Sequence, residues 1–429
     1  MKKVMLKTTL SLAVAMASSQ LFASGFALNE QSVSGMGTGF AGRSSSADDA
    51  STVYGNPAGM ARLNGQQITG GVAAIDASTD ISSTGGNSRG SNKGDMVPFT
   101  AVPFGFYTNK LNDQWAIGFG VYAPFGLVTD YESGFQGRGF GSKSEVKVMT
   151  FQPTVSYAFN DRVSIGFGPT INRISGVLES DKTLVAGAPF GDTNVKIKGD
   201  DTALGFNVGV LVQATDTTRV GLTYHSKVKY KLEGHTTVSG PAQTQGVLRN
   251  NRYDASLKID TPESYDLSVT QDLTDAWKLY GGATWTRWSR LKEITVNNDG
   301  VTAAGGILAP SQLSAITEKQ DWHDTWAYAV GTSYQLTKQV VLRTGLTFDQ
   351  SPTNNTDRSP RIPTGDRTIF SVGLGYKVMD NMTIDLAYSY LKEEDVKVNN
   401  TANPPSTASY RAKYENSANG FGLGMTYTF

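Results

Sequence analysis

The last nine residues, Phe421-Gly-Leu-Gly-Met-Thr-Tyr-Thr-Phe429, constrain the fold more than any other stretch. Phe421, Leu423, Met425, Tyr427 and Phe429 take the odd positions, and Gly422, Gly424, Thr426 and Thr428 the even ones. A period of two sends the two sets to opposite faces of a strand. The large face runs to the final aromatic residue, with nothing following to cover it. In water such a strand is an aggregation-prone edge. In a membrane barrel it is a closing strand, with its apolar face toward lipid and an aromatic at the interface.

The same alternation recurs upstream. Met382/Ile384/Leu386/Tyr388/Tyr390, Phe370/Val372/Leu374/Tyr376, Val340/Leu342/Leu346/Phe348 and Trp326/Tyr328/Val330/Tyr334 each share one face. Further sets start at Trp277, Tyr265, Val220, Leu204, Val163, Phe151 and Trp115, and two weaker ones lie near Val97–Tyr107 and Gln67–Ile75. The count is fourteen. Six short polar turns alternate with seven long connections, at roughly 76–96, 124–146, 175–202, 229–262, 289–323, 350–366 and 392–417. That alternation is what an all-β, 14-stranded antiparallel transmembrane β-barrel requires, with both termini on the short-turn, periplasmic side. An even count closes the sheet and pairs every backbone group, as lipid demands.

Lys2, Lys3 and Lys7 precede an apolar run from Leu10 to Ala17, which reads as a signal peptide over residues 1–23. The run is too short to span a membrane. Lys+Arg and Asp+Glu both total 38, so nucleic-acid binding has no electrostatic basis, and the absence of Cys excludes thiol chemistry. No cofactor is expected. No Gly-x-Ser-x-Gly elbow or metal-ligand cluster stands in the chain. The three histidines are His225, His235 and His323; His225 adjoins Ser226, but strand neighbours point to opposite faces and form no dyad. An outer-membrane lipid hydrolase is therefore a distant alternative, and neither catalytic residues nor a metal site is assigned.

Residues 24–65 break the pattern, and residues 66–429 form the barrel. Gly25-Phe-Ala-Leu-Asn-Glu-Gln-Ser32, Ala47-Asp-Asp-Ala50 and Asn56-Pro57-Ala58 belong to a stretch rich in Gly, Ser and Ala with scattered apolar residues. A periplasmic tail is one reading. A plug is the other, because the apolar residues need a dry place and a fourteen-stranded lumen needs filling. These three segments, in this order, resemble the N-terminal hatch of FadL-type outer-membrane transporters. Asp324-x-Trp326, Arg343-x-Gly345, Ser351-Pro352 and Arg361-Ile-Pro-Thr-Gly-Asp-Arg367 resemble that family's late strands and loop.

The resemblance implies a hatch inside the barrel and passive uptake of long-chain fatty acids or similar hydrophobic molecules through the outer membrane. It also implies a loop groove, a pocket beside the hatch and an inward kink in the third strand that opens the wall toward membrane lipid. Gly118, Phe119 and Gly120 stand at the expected kink, with both glycines facing inward. Phe26 and Leu28 are the expected hatch residues of the pocket. Val177, Leu178, Leu184, Val185 and Phe190 are candidates for the loop groove. For a carboxylate, the resemblance points to His323, on the lumen face with Ala327 and Ala329, and to Arg173, whose parity matches outward Phe167 unless the strand bulges. A histidine, mostly neutral at pH 7, keeps uncharged aromatic and aliphatic hydrocarbons open as substrates. The barrel is expected to be a monomer.

Overall fold

The computed structural model describes residues 25–182, 184, 193–240, 248, 250–302, 313–402 and 408–429. Its first three strands are β1 (Gln66–Gly85), β2 (Thr100–Lys110) and β3 (Trp115–Asp130). They are followed by β4 (Lys143–Ala158), β5 (Val163–Lys182), β6 (Thr193–Gln213) and β7 (Thr218–His225). Next come β8 (Val228–Ser239), β9 (Arg252–Thr261), β10 (Ser264–Asp272) and β11 (Trp277–Thr286). The remainder are β12 (Glu293–Asn298), β13 (Ala315–Lys319), β14 (Thr325–Gln335), β15 (Val340–Asp349), β16 (Arg367–Met379), β17 (Met382–Glu393), β18 (Val396–Thr401) and β19 (Ser409–Thr428).

Fourteen of these close a ring. β1 through β7 pair in order, β7 pairs β10, and β10 pairs β11. β11 then pairs β14, the order continues through β17, and β19 joins β17 to β1. Every pairing is antiparallel, and the terminal strand is a wall strand on both sides. The outward parity matches the sequence. Phe421, Leu423 and Met425 are exposed, as are Leu346, Phe370, Leu386, Val330, Leu267 and Phe167 on other strands. These side chains form the apolar band that lipid covers.

The long connections differ from loops. β1, β3, β5 and β19 run on well past their apolar segments, and β8–β9 and β12–β13 are hairpins. Pairing of β8 to upper β6, β9 to β8, β12 to β9 and β13 to β12 continues the same sheet into a roof beyond the apolar band. Once a strand leaves the hydrocarbon its outward positions become polar, as in Lys196, Lys198 and Asp200, so the alternation of apolar residues fades while the ladder persists.

Residues 25–65 lie inside the ring. They carry two short helices, Val33–Gly37 and Thr52–Gly55, and a 3₁₀ turn, Pro57–Arg62. Inward glycines on six strands admit them. A Cβ added at Gly166, Gly209, Gly221, Gly282, Gly331 or Gly345 would fall under 3.0 Å from Pro57, Asn56, Ser44, Ala41 or Thr38. Asn56 fastens the middle of the segment: its amide donates to Ser44 O at 2.7 Å and Val210 O at 3.0 Å, and its Oδ1 accepts from Ala58 N at 3.0 Å. Pro57 opens the turn, where a missing N–H costs nothing.

Candidate functional site: a broken wall beside two cavities

The ladder between β2 and β3 stops early. It runs from Lys110↔Ala116 to Gly105↔Val121 and no further, although both strands continue. β3 also shifts register against β4 between Tyr122 and Phe125. Freed from β2, its edge would expose unpaired N–H and C=O groups. The start of the internal segment takes their place. Leu28 N donates to Pro124 O at 2.8 Å, Gly126 N donates to Phe26 O at 2.9 Å, and Ala27 bridges Phe125. The Gln31 side-chain amide donates a further hydrogen bond to Ala123 O at 2.7 Å. The break is bounded above by a hydrogen bond from Asp130 N to Met96 O at 2.7 Å.

This bridge separates two cavities. Above it, Phe26 forms the floor of a partly open apolar pocket with a cavity volume of about 70 Å³, with Leu127, Ile174 and Leu178 on the wall side and Leu232, Leu257 and Ile259 from the roof strands. Phe26 is packed against Trp288 and Trp322, with ring centroids 4.8 and 6.0 Å away, and all three are buried. Gly25 is the residue that fits there: its φ is +62°, and a Cβ would crowd both indoles. The roof is held by the Arg361–Arg367 segment. Arg361 pairs with Glu318 at 2.9 Å, Ile362 enters the pocket lining, and Arg367 forms a fully buried pair with Glu393 at 2.7 Å.

Below the bridge lies a lumen cavity of about 100 Å³ with a mixed polar and apolar lining. Leu28, Phe125 and Tyr122 face it beside the break, while Arg43, Asp266 and Asp349 supply charge. Arg43 donates to Asn29 at 2.6 Å and stands 5.3 Å from the Phe40 ring centroid. Nearby Glu30 is buried; its Oε2 accepts from Asn29 N at 2.9 Å and its Oε1 has no partner. Burial pushes its carboxyl up to about 7, against smaller opposing effects from backbone hydrogen bonds and Arg43.

Of the residues singled out in the sequence, Phe26, Leu28 and Leu178 line these cavities. Gly118 and Gly120 face inward, against Val53 and Met60 of the internal segment. The irregularity of β3 lies a few residues beyond them, as a register shift between Tyr122 and Phe125. Phe119 does not line a cavity: it is on the outer face, exposed, as its parity requires. Arg173 also faces outward. The β5–β6 register runs through it without a bulge, and it pairs with Asp200 at 2.5 Å. His323 is exposed and outside the lumen. β14 begins only at Thr325, and the preceding turn is tied by His323 N to Pro352 O at 3.1 Å and by Asp324 to Ser289 N. Val177 and Leu178 belong to β5, not to a loop, and Leu184 is buried in a separate cluster. Val185, Phe190 and the signal segment 1–23 lie outside the described residues.

The roof residues were missed, although Tyr230 and Leu232 alternate with Lys229, Lys231 and Glu233 in a stretch read as loop. Trp288 and Trp322 carried no such signal.

A closed fourteen-stranded ring with an apolar outer band defines an outer-membrane barrel. Residues 14–429 match the model of the family described as outer membrane protein transport protein (OMPP1/FadL/TodX), and the chain belongs to that family. It is 27% identical to a long-chain fatty acid transport protein of Escherichia coli O6:H1, over 100% of this chain and 99% of that one. Among solved structures it is similar to a Pseudomonas aeruginosa FadL homologue, at TM-score 0.84 and 25% identity, covering 95% of this chain and 100% of that one. The Pseudomonas putida toluene transporter TodX shares the fold at TM-score 0.67 and 19% identity, with 96% and 99% covered.

Proposed function

We propose that this protein takes up long-chain fatty acids or similar hydrophobic molecules passively: the roof pocket captures them, residues 24–65 act as a hatch, and the β2–β3 break releases them sideways into the membrane. The carrying observation is the break itself, where β3 leaves its neighbour and the hatch N-terminus takes its edge. An alkyl chain gains about 0.8 kcal/mol per buried CH₂. A route that left it in periplasmic water would forfeit that gain, whereas a lateral exit passes it from a dry pocket to lipid. The relatives named for long-chain fatty acids and for toluene support this class of cargo. Uptake of aromatic or aliphatic hydrocarbons is the second reading, favoured by the placement of His323 and Arg173 away from the pocket.

The test is saturable binding of labelled oleate, oleyl alcohol or xylene to the detergent-purified barrel. Leu178→Asp, which puts a carboxylate in the pocket lining, is expected to abolish it. Binding unchanged by Leu178→Asp would remove the pocket from the route.

A further inference from the structure

We propose that the roof pocket is built for an uncharged hydrophobe, and that Gln320 is the group that reads its polar end. This inference rests on the transport reading above and names its substrate class. Burying a carboxylate in an apolar site requires a cation whose charge is still available. The pocket's buried cation is Arg361, 5% exposed, and its charge is already met. Its Nε lies 2.9 Å from both oxygens of Glu318. Its Nη1 donates to Lys143 O, Ser144 Oγ and Glu179 O at 3.0, 3.1 and 3.1 Å. A carboxylate brought to this guanidinium would meet Glu318 as well. Two other charged residues border the pocket. Glu145 pairs with Lys147 at 2.8 Å, and Lys198 is exposed, where water solvates its ammonium.

Gln320 differs from all of these. It is 6% exposed and lines the pocket. Its backbone is fixed, with its N–H donating to Lys292 O at 2.8 Å and its carbonyl accepting from Asn354 at 3.0 Å. Its side-chain amide has no hydrogen-bond partner among the described residues. A neutral amide both donates and accepts. It therefore matches the hydroxyl of a long-chain alcohol, the carbonyl of an ester, or a carboxylic acid in its protonated form. A hydrocarbon leaves the amide to water and is still accepted by the alkyl lining.

The experiment compares oleate, oleyl alcohol and 1-octadecene on the purified full-length barrel at pH 8. Oleyl alcohol is expected to bind at least ~10-fold more tightly than oleate. Gln320→Leu should weaken the alcohol ~5–10-fold, the loss of one hydrogen bond, and leave octadecene unchanged. Glu318→Gln, which frees the Arg361 charge, should raise oleate affinity ~10-fold relative to the alcohol. Oleate bound as tightly as the alcohol by the native protein would overturn the inference. So would an equal loss of alcohol and octadecene in Gln320→Leu, or unaltered oleate binding in Glu318→Gln. Should none of the three ligands bind the native protein, the pocket's transport role falls and takes this inference with it. A reversal confined to oleate leaves that role standing.

Discussion

The wall and the segment inside it are ordered by different means. Wall strands are specified locally: side chains alternate along each strand, and most strands pair with the next one in the ring order through a regular register. The internal segment has two helices of five and four residues and no period of its own. Its order is imposed by the wall, through inward glycines that admit its backbone and through polar contacts such as Thr347 Oγ1 to Gly39 O at 2.7 Å and Thr223 Oγ1 to Gly55 O at 2.8 Å. A structure that depends on its container can be loosened without breaking the container. That suits a hatch beside a wall that must open at one seam.

Gly345→Val would push a side chain into Thr38 and Gly39 while leaving the β14–β15 and β15–β16 ladders intact. We expect a barrel that still inserts but has lost its filling, so that planar-bilayer recordings change from little steady ion current to an open pore. A variant as silent as the native protein would show that the glycine does not hold the segment in place.

Asn56→Ala removes three hydrogen bonds at once, two of them buried, and should cost the segment about 2–4 kcal/mol. Hydrogen exchange should speed up over residues 44–60 and stay slow in the wall strands; equal acceleration in both would tie the two regions together. Glu30 makes the internal segment sensitive to pH. Its carboxyl rises from 4.5 to about 7 in the folded state, so the folded form binds the proton more tightly. The stability of its surroundings is full below pH 4.5 and is lost as pH rises toward 7, by about 3 kcal/mol for a fully buried group. Proteolysis of the segment should accelerate from pH 5 to pH 8, and Glu30→Gln should flatten that profile. The smallest effect belongs to the outer face: Arg173→Ala breaks an ion pair that is partly exposed, worth 1 kcal/mol or about that at most. Ligand affinity there should not change, and a marked loss would put Arg173 back in the route.

The sequence made the wall readable because lipid demands an apolar outer face at every second residue. All fourteen strands were legible for that reason. Above the membrane the demand ends, so the roof strands, alternating only weakly, read as loops. The cavities were half legible. Phe26 and Leu28 stand out as large apolar residues in a stretch of small ones, and period-two parity places Gly118 and Gly120 inward. The same parity, followed strictly, places Phe119 and Arg173 outward. It fails for His323, which precedes the first ladder residue of β14 and so has no strand face to obey. Trp288, Trp322, Gln320 and Glu318 come together only through the roof strands and their long-range pairings. No local pattern joins them.

Lateral release at the β2–β3 seam predicts that closing the seam stops uptake. The chain has no Cys, so Pro103→Cys and Ala123→Cys introduce a single pair of thiols on the two sides of the break. With the pair joined by a short bis-maleimide, uptake of labelled oleyl alcohol by cells carrying the protein should fall to the level of cells lacking it, while binding to the purified, crosslinked barrel persists. Undiminished uptake through a fully crosslinked seam would contradict lateral release.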